Sequence, residues 1–382
     1  MNDRPTGTTK KGMGNMKKIF SEIHEPMFYI AKRDTIDWWK AWIIRIVAVL
    51  LALLVAGIVT IVLTGLNPLD VYESMFLGAV GTKRKIWNLF QNVAMLLCVA
   101  LAVTPAFKMR FWNLGAEGQV LMGGFATATC MIFLGEKLST PVLYLVMIVS
   151  SVVMAIIWSV IPALFKAKWN ANETLFTLMM NYIAMQIVAY FTLEWSVPKG
   201  SGTPRILSEG QLPIIANQPY LINIIIVAVL TVLMFIYLKY SKNGYEISVV
   251  GESENTARYI GINVKKVVIR TMMVSGVVCG IAGLLLVAGT DHSLKSDTVG
   301  GRGFTAVMVS WLAKFNPLFM VLTSLLIVFL EKGASKISED FSLNASFSSI
   351  ITGIIIFFII GCEFFINYKI KCNLKNKEEV AK

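Results

Sequence analysis

Histidine is almost missing from this chain: His24 and His292 are the only two, and both fall in polar stretches. Five cysteines (Cys98, Cys130, Cys279, Cys362 and Cys372) show no metal-ligand spacing, and four lie in apolar runs, where cysteine behaves as a small hydrophobe. No His/Cys/Glu cluster has ligand spacing either, so we expect no metal site, no disulfide framework and no catalytic residue. The G-x-x-x-x-G-K-[S/T] loop that cradles nucleotide phosphates is also lacking, which excludes ATP binding by a P-loop on this chain. Charge is scarce too. Only 15% of residues are charged against 56% hydrophobic, a balance too apolar for an ordinary soluble protein.

What is present is a series of apolar runs. A helix needs about 20 apolar residues to cross a hydrocarbon core of about 30 Å. The sequence predicts ten spans: Ile43–Leu66, Trp87–Phe107, Ala116–Leu134, Val142–Phe165, Thr174–Leu193, Tyr220–Leu238, Val267–Gly289, Phe304–Ala313, Pro317–Leu330 and Phe347–Asn367, the eighth and ninth of them short. The fold class is therefore all-α, a polytopic helical membrane protein. The first forty residues are polar and lysine-bearing, so no signal peptide is expected and the first span should be a retained anchor.

The formal charge of +12 sits between the apolar runs and at the two ends, as in cytoplasmic loops, which argues against a nucleic-acid partner. Ten spans put both termini on one side. Placing them in the cytoplasm gathers most of the basic residues there, and Lys83, Arg84 and Lys85 are the one cluster left on the wrong side. This yields a basic polar cytoplasmic segment over 1–42, a transmembrane domain over 43–368 and a basic tail over 369–382. A five-and-five division would give halves of opposite orientation, an inverted repeat, although residue-level self-similarity is weak.

Two connections are long. Trp195 to Pro219 is rich in proline and glycine and should have little regular structure. Lys239 to Lys266 contains "GESENTARYIGINVKK", helix-compatible until Gly261, and predicts a short helix on the cytoplasmic face. Gly276 and Gly280 make a small-xxx-small face for close helix packing. "GGRGF" (Gly300 to Phe304) before the short eighth span predicts a broken helix of the kind that borders permeation paths.

Polar residues at membrane depth are the functional candidates, because a charge buried there costs at least about 2.5 kcal/mol and an amide needs a partner. They are Gln91 and Asn92, then Glu117 and Gln119, then Glu173, Asn181 and Gln186. Their sparsity speaks against a proton relay and for a path taken by a polar, largely uncharged solute. Asn113, Glu117 and Gln119, placed near the inner surface, either cap the third span or meet solute. Glu173 either lies on the path or pairs with Lys166 or Lys168. Asn181, deeper, either lines the path or hydrogen-bonds between helices.

Four ordered motifs carry a resemblance: "WNLGAEGQVLMGGFAT" (Trp112 to Thr127), "ANETLFTLMMNYIA" (Ala171 to Ala184), "GESENTARYIGINVKK" (Gly251 to Lys266) and "GRGFTAVMVSWLAKFNP" (Gly301 to Pro317). From about Trp87 to Asn367 the chain resembles inner-membrane permeases of ABC importers in the branched-chain amino acid and simple sugar permease superfamily, its nucleoside-type members most closely. Arg302, Met308, Ser310 and Trp311 stand where such permeases tend to carry smaller residues.

The resemblance implies a transport subunit rather than an enzyme, in a prokaryotic cell membrane, importing nucleosides by alternating access. A simple sugar such as ribose or galactose is the alternative, and an ion-coupled secondary transporter a more distant one. It implies an ATP-binding subunit that holds ATP and Mg²⁺, a second permease subunit, an extracytoplasmic substrate-binding protein and surrounding membrane lipid as partners, with no cofactor on this chain. Asn92, Asn113, Glu117, Gln119, Glu173 and Asn181 would belong to the substrate path, with Gly115 and Gly118 shaping it. Within the loop 239–266, Gly251, Glu252, Asn255, Ala257, Arg258 and Gly261 would couple to the ATPase, with Gly261 ending the coupling helix.

Overall fold

A computed structural model describes residues 28–33, 37–215 and 218–372. Most of the two basic ends, residues 1–27, 34–36 and 373–382, therefore lies outside the described residues. The chain order is β1 (Phe28–Lys32), α1 (Trp38–Thr64), α2 (Pro68–Val80), α3 (Lys83–Lys108), α4 (Ala116–Leu134), α5 (Thr140–Trp169), α6 (Glu173–Trp195), α7 (Leu221–Tyr240), α8 (Lys242–Glu252), α9 (Glu254–Tyr259), α10 (Val264–Leu286), a π turn over Val287–Asp291, α11 (Arg302–Leu312), α12 (Pro317–Asp340), α13 (Ala345–Asn367) and β2 (Tyr368–Cys372). Helix starts follow their side chains: Asn67, Thr82, Asn172, Ser241, Ser253, Asn263 and Asn316 each accept a backbone N–H of the first turn.

Among the described residues nine helices are long and apolar enough to cross a membrane: α1, α3, α4, α5, α6, α7, α10 with its π turn, α12 and α13. The expected eighth span is different. It is α11, 11 residues long, which reaches only about 16 Å and cannot cross the hydrocarbon alone.

The chain divides into two compact units. In the first, residues 1–65 with 353–382, β1 pairs antiparallel with β2, Phe28 opposite Cys372 and Lys32 opposite Tyr368. Arg45 of α1 donates to Glu363 of α13 at 2.7 Å, satisfying two charges on apolar helices at once. The ribbon holds the two flanks of this unit side by side.

The second unit, residues 66–352, is built around α3, α4 and α10, whose hydrophobic windows are 67% to 78% buried, against 22% to 28% for α5, α6 and α7. Glycine allows that burial. A Cβ at Gly276 would stand 2.8 Å from the Ile156 backbone and one at Gly280 2.7 Å from that of Val152, so α10 and α5 pack backbone to backbone as the small-residue face predicts.

Candidate functional site

The link between α3 and α4 is where the polar residues gather. After α3 the chain reverses at Arg110, whose φ of 61° is left-handed, and residues 111–115 run back among the helices. Asn113, buried completely, donates to Ser275 Oγ at 3.4 Å and accepts from Gln119 Nε2 at 3.1 Å and from the Gly115 N–H at 3.0 Å. Ser275 stands about 16 Å along α10 from Val264, and Asn181 about 12 Å along α6 from Glu173. The link after α3, α6 and α10 thus meet in one buried polar cluster at the start of α4.

Each side chain there is fully used. Asn181 accepts the Gly118 N–H at 2.8 Å and donates to the Leu114 carbonyl at 2.7 Å, tying α6 to both sides of the α4 start. Gly118 must be glycine, because a Cβ would come within 2.9 Å of Asn181 Oδ1. Thr177 receives the Leu114 N–H at 3.2 Å.

Glu117 faces the other way. Its two carboxylate oxygens accept the N–H groups of Gly301 at 2.8 Å and Gly303 at 2.6 Å, the free donors at the start of α11. A half-helix with its N-terminus inside the bundle exposes unpaired N–H groups, and a carboxylate is the natural partner for them. Gly303 permits the approach, since a Cβ would stand 2.6 Å from the Glu117 nitrogen. Next to it, Arg302 donates to the Val299 carbonyl at 3.1 Å and to Asn92 Oδ1 at 3.1 Å, which fixes Asn92 on α3.

Beside this junction is a cavity of about 410 Å³, lined by Glu117, Met185, Gln186, Ala189, Ser296, Asp297, Gly300, Gly301 and Phe304. Among the described residues, no lysine, arginine or histidine is in its wall. Of the six residues placed on a path by sequence, Asn113, Glu117, Gln119 and Asn181 come together, and of these Glu117 alone reaches the cavity. Asn92 stands at the edge of the cluster, accepting from Arg302 and donating to the Asn88 carbonyl at 2.7 Å. Glu173 stays apart, in an ion pair with Lys166 at 2.9 Å. Ser296, Asp297 and Phe304 escaped the sequence reading; the "GGRGF" break between them was the available signal. A second polar contact joins Gln91 Nε2 to Thr290 Oγ1 at 2.5 Å, with Asn223 donating to the Gly289 carbonyl at 3.3 Å across the π turn.

The loop 239–266 forms two short helices rather than one. Ser253 ends α8 and caps α9, accepting the Thr256 N–H at 3.2 Å. Gly251 is buried where a Cβ would collide with the Lys108 carbonyl, and Ala257 is buried completely, so both seat the pair of helices on their own chain. Glu252, Asn255 and Arg258 are exposed. Arg258 meets Glu254 at 3.2 Å on the surface, Tyr259 is 92% exposed, and Gly261, at φ 86°, turns the chain toward α10.

The family model of the branched-chain amino acid transport system permease component matches residues 86–360, which contain every element of this site. Among curated proteins the chain is 26% identical to the glucose ABC transporter permease protein TsgB13 of Haloferax volcanii, over 88% of this chain and 92% of that one. It is 24% identical to the guanosine ABC transporter permease protein NupP of Bacillus subtilis, over 83% of this chain and 92% of the relative. It is 25% identical to the nucleoside ABC transporter permease protein NupB of Lactococcus lactis subsp. cremoris, over 83% and 90%. A buried core with a broken helix, nine helices among the described residues long and apolar enough to cross a membrane, and this match over most of its length lead to one conclusion: the chain belongs to the branched-chain amino acid transport system permease family, and is a multi-pass transport component of the cell membrane rather than an enzyme.

Proposed function

We propose that this chain is the nucleoside-conducting permease subunit of an ABC importer. The observation that carries the reading is the wall of the 410 Å³ cavity, a size ordinary for a small-molecule site. Phe304 offers an aromatic face for a base, while Gln186, Ser296 and Asp297 offer acceptors and donors for sugar hydroxyls. Glu117 and Asp297 place two carboxylates in the wall, which disfavours an anionic solute. The guanosine and nucleoside permeases among its relatives support the same class. A simple sugar is the second reading, favoured by the hydroxyl-binding groups and by the glucose permease relative.

In this reading a substrate-binding protein delivers solute to the outer face and a second permease subunit completes the path. An ATP-binding subunit, which holds ATP and Mg²⁺, docks on α8 and α9 through Glu252, Asn255 and Arg258. Its closure moves the helix pair, and Gly251 against Lys108 passes the movement to α3. Asn113, Gln119 and Asn181 hold the inner framework of the path while Glu117 holds α11.

The test is uptake of labelled adenosine and uridine beside labelled ribose and glucose, in cells with the gene deleted and then restored. Loss and rescue of nucleoside uptake alone is the expected result. Loss of sugar uptake alone would replace nucleoside by sugar. Phe304→Ala sharpens the test: we expect nucleoside uptake to fall by about tenfold, the scale of one aromatic contact of about 1.4 kcal/mol, with any sugar uptake little changed.

A further inference from the structure

The first unit carries a cavity that transport does not account for. Between α1 and α13 runs an apolar groove of about 990 Å³. Val47 and Leu51 form one wall, Phe358 and Phe365 the other, and Gly361 leaves a gap in the second, since a Cβ there would meet nothing within 4 Å. From Phe357 to Phe365 the groove follows α13 for about 12 Å, most of the hydrocarbon depth of one leaflet, about 15 Å.

One end of the groove is basic. Arg33, just after β1, and Lys369, within β2, line it there, and among the described residues no carboxylate is part of its wall. The Nε of Arg33 is buried without a hydrogen-bond partner among the described residues, although its backbone N–H donates to the Asn367 carbonyl at 2.8 Å. A guanidinium N–H shielded from water calls for an acceptor, and two cations at the end of an apolar channel favour an anion between them. A phosphodiester supplies both, and basic sites at helix ends are where anionic headgroups bind.

We propose that this groove is a binding site for one anionic phospholipid, its phosphodiester between Arg33 and Lys369 and an acyl chain along the Gly361 gap. The charge complementarity selects this occupant over a zwitterionic lipid, whose own cation would face the two basic side chains. The site shares no lining residue with the 410 Å³ cavity and does not depend on which solute is transported.

Native mass spectrometry of the purified full chain tests it, with palmitoyl-oleoyl phosphatidylglycerol and palmitoyl-oleoyl phosphatidylcholine added in equal amounts. The expected result is a phosphatidylglycerol adduct at least fivefold stronger than the phosphatidylcholine one. Arg33→Gln with Lys369→Gln should bring that ratio near one, Arg33→Lys with Lys369→Arg should keep it, and Gly361→Phe should weaken both adducts. The charge-keeping variant separates lost charge from lost fold. A ratio near one in the unaltered protein overturns the proposal, as does an unchanged ratio in the double glutamine variant. Retention of neither lipid, with a dimer that Gly361→Phe dissolves, would assign the groove to a second copy of the chain and overturn it equally.

Discussion

At the start of α4, Asn113, Glu117, Gln119 and Asn181 are between 0% and 2% exposed, and their side chains bond to backbone groups, to one another or to neighbouring helices. In α8 and α9, Glu252, Asn255 and Arg258 stand in the open, and the Glu254–Arg258 pair has 54% to 64% of its side-chain surface accessible. Both regions are polar inserts in an apolar chain, yet in the first the polar side chains themselves are buried and bonded, while in the second buried Gly251 and Ala257 seat the helices and the charged side chains face outward. Inside hydrocarbon every donor needs an internal partner, whereas at the surface water takes that place. A polar residue in the first region is therefore structural before it is anything else. One in the second is free to meet a partner.

The contrast breaks most sharply at Glu117. Glu117→Leu leaves two N–H groups of α11 unpaired at membrane depth, and should destabilise the protein by roughly 3 kcal/mol or more and abolish uptake. A drop in thermal midpoint in detergent checks it, and an unchanged midpoint would mean that α11 does not need the carboxylate. Gly251→Val should follow in size, because a branched side chain would strike the Lys108 carbonyl and lift α8 from α3. Here we expect a folded core with faster proteolysis in the loop 239–266, read by limited trypsin digestion.

Asn181→Ala removes two interhelical hydrogen bonds and should cost about 2 kcal/mol. Because its amide is spent on Gly118 and Leu114, uptake of adenosine, uridine and ribose should slow in parallel; a changed ranking of these solutes would move Asn181 into the path itself. At the opposite end lies Arg258→Glu. An exposed ion pair contributes little, so the thermal midpoint should stay within experimental scatter while uptake falls and the ATPase activity of the assembled transporter persists. Normal uptake in that variant would remove Arg258 from the docking surface.

Much of this was readable in advance, and unevenly. Hydropathy located eight of the nine long helices within about five residues but ended the ninth expected span at Leu330, where Glu331 and Lys332 interrupt the apolar run although α12 continues to Asp340, and the small-residue spacing of Gly276 and Gly280 told which face of α10 meets a neighbour. The pairing of Glu173 with Lys166 was open to inspection because the two flank one short turn. By contrast, nothing local says that the link after α3 doubles back, so the burial of Asn113 and Gln119 against α6 and α10 could not be read from sequence. The same holds for Asp297 and Phe304, which reach a cavity only because Glu117 anchors α11, across 184 and 186 positions of sequence.

The sequence by itself determined the membrane class, most of the helices and the break before α11, because each depends on the sum of a few neighbouring side chains against lipid or water. Only the tertiary structure decided which polar residues cluster, that a carboxylate holds the start of α11, and which residues share a cavity. Those outcomes rest on contacts between distant segments, where a single reversal at Arg110 and a few missing side chains, at Gly118, Gly303 and Gly251, decide which backbones can touch.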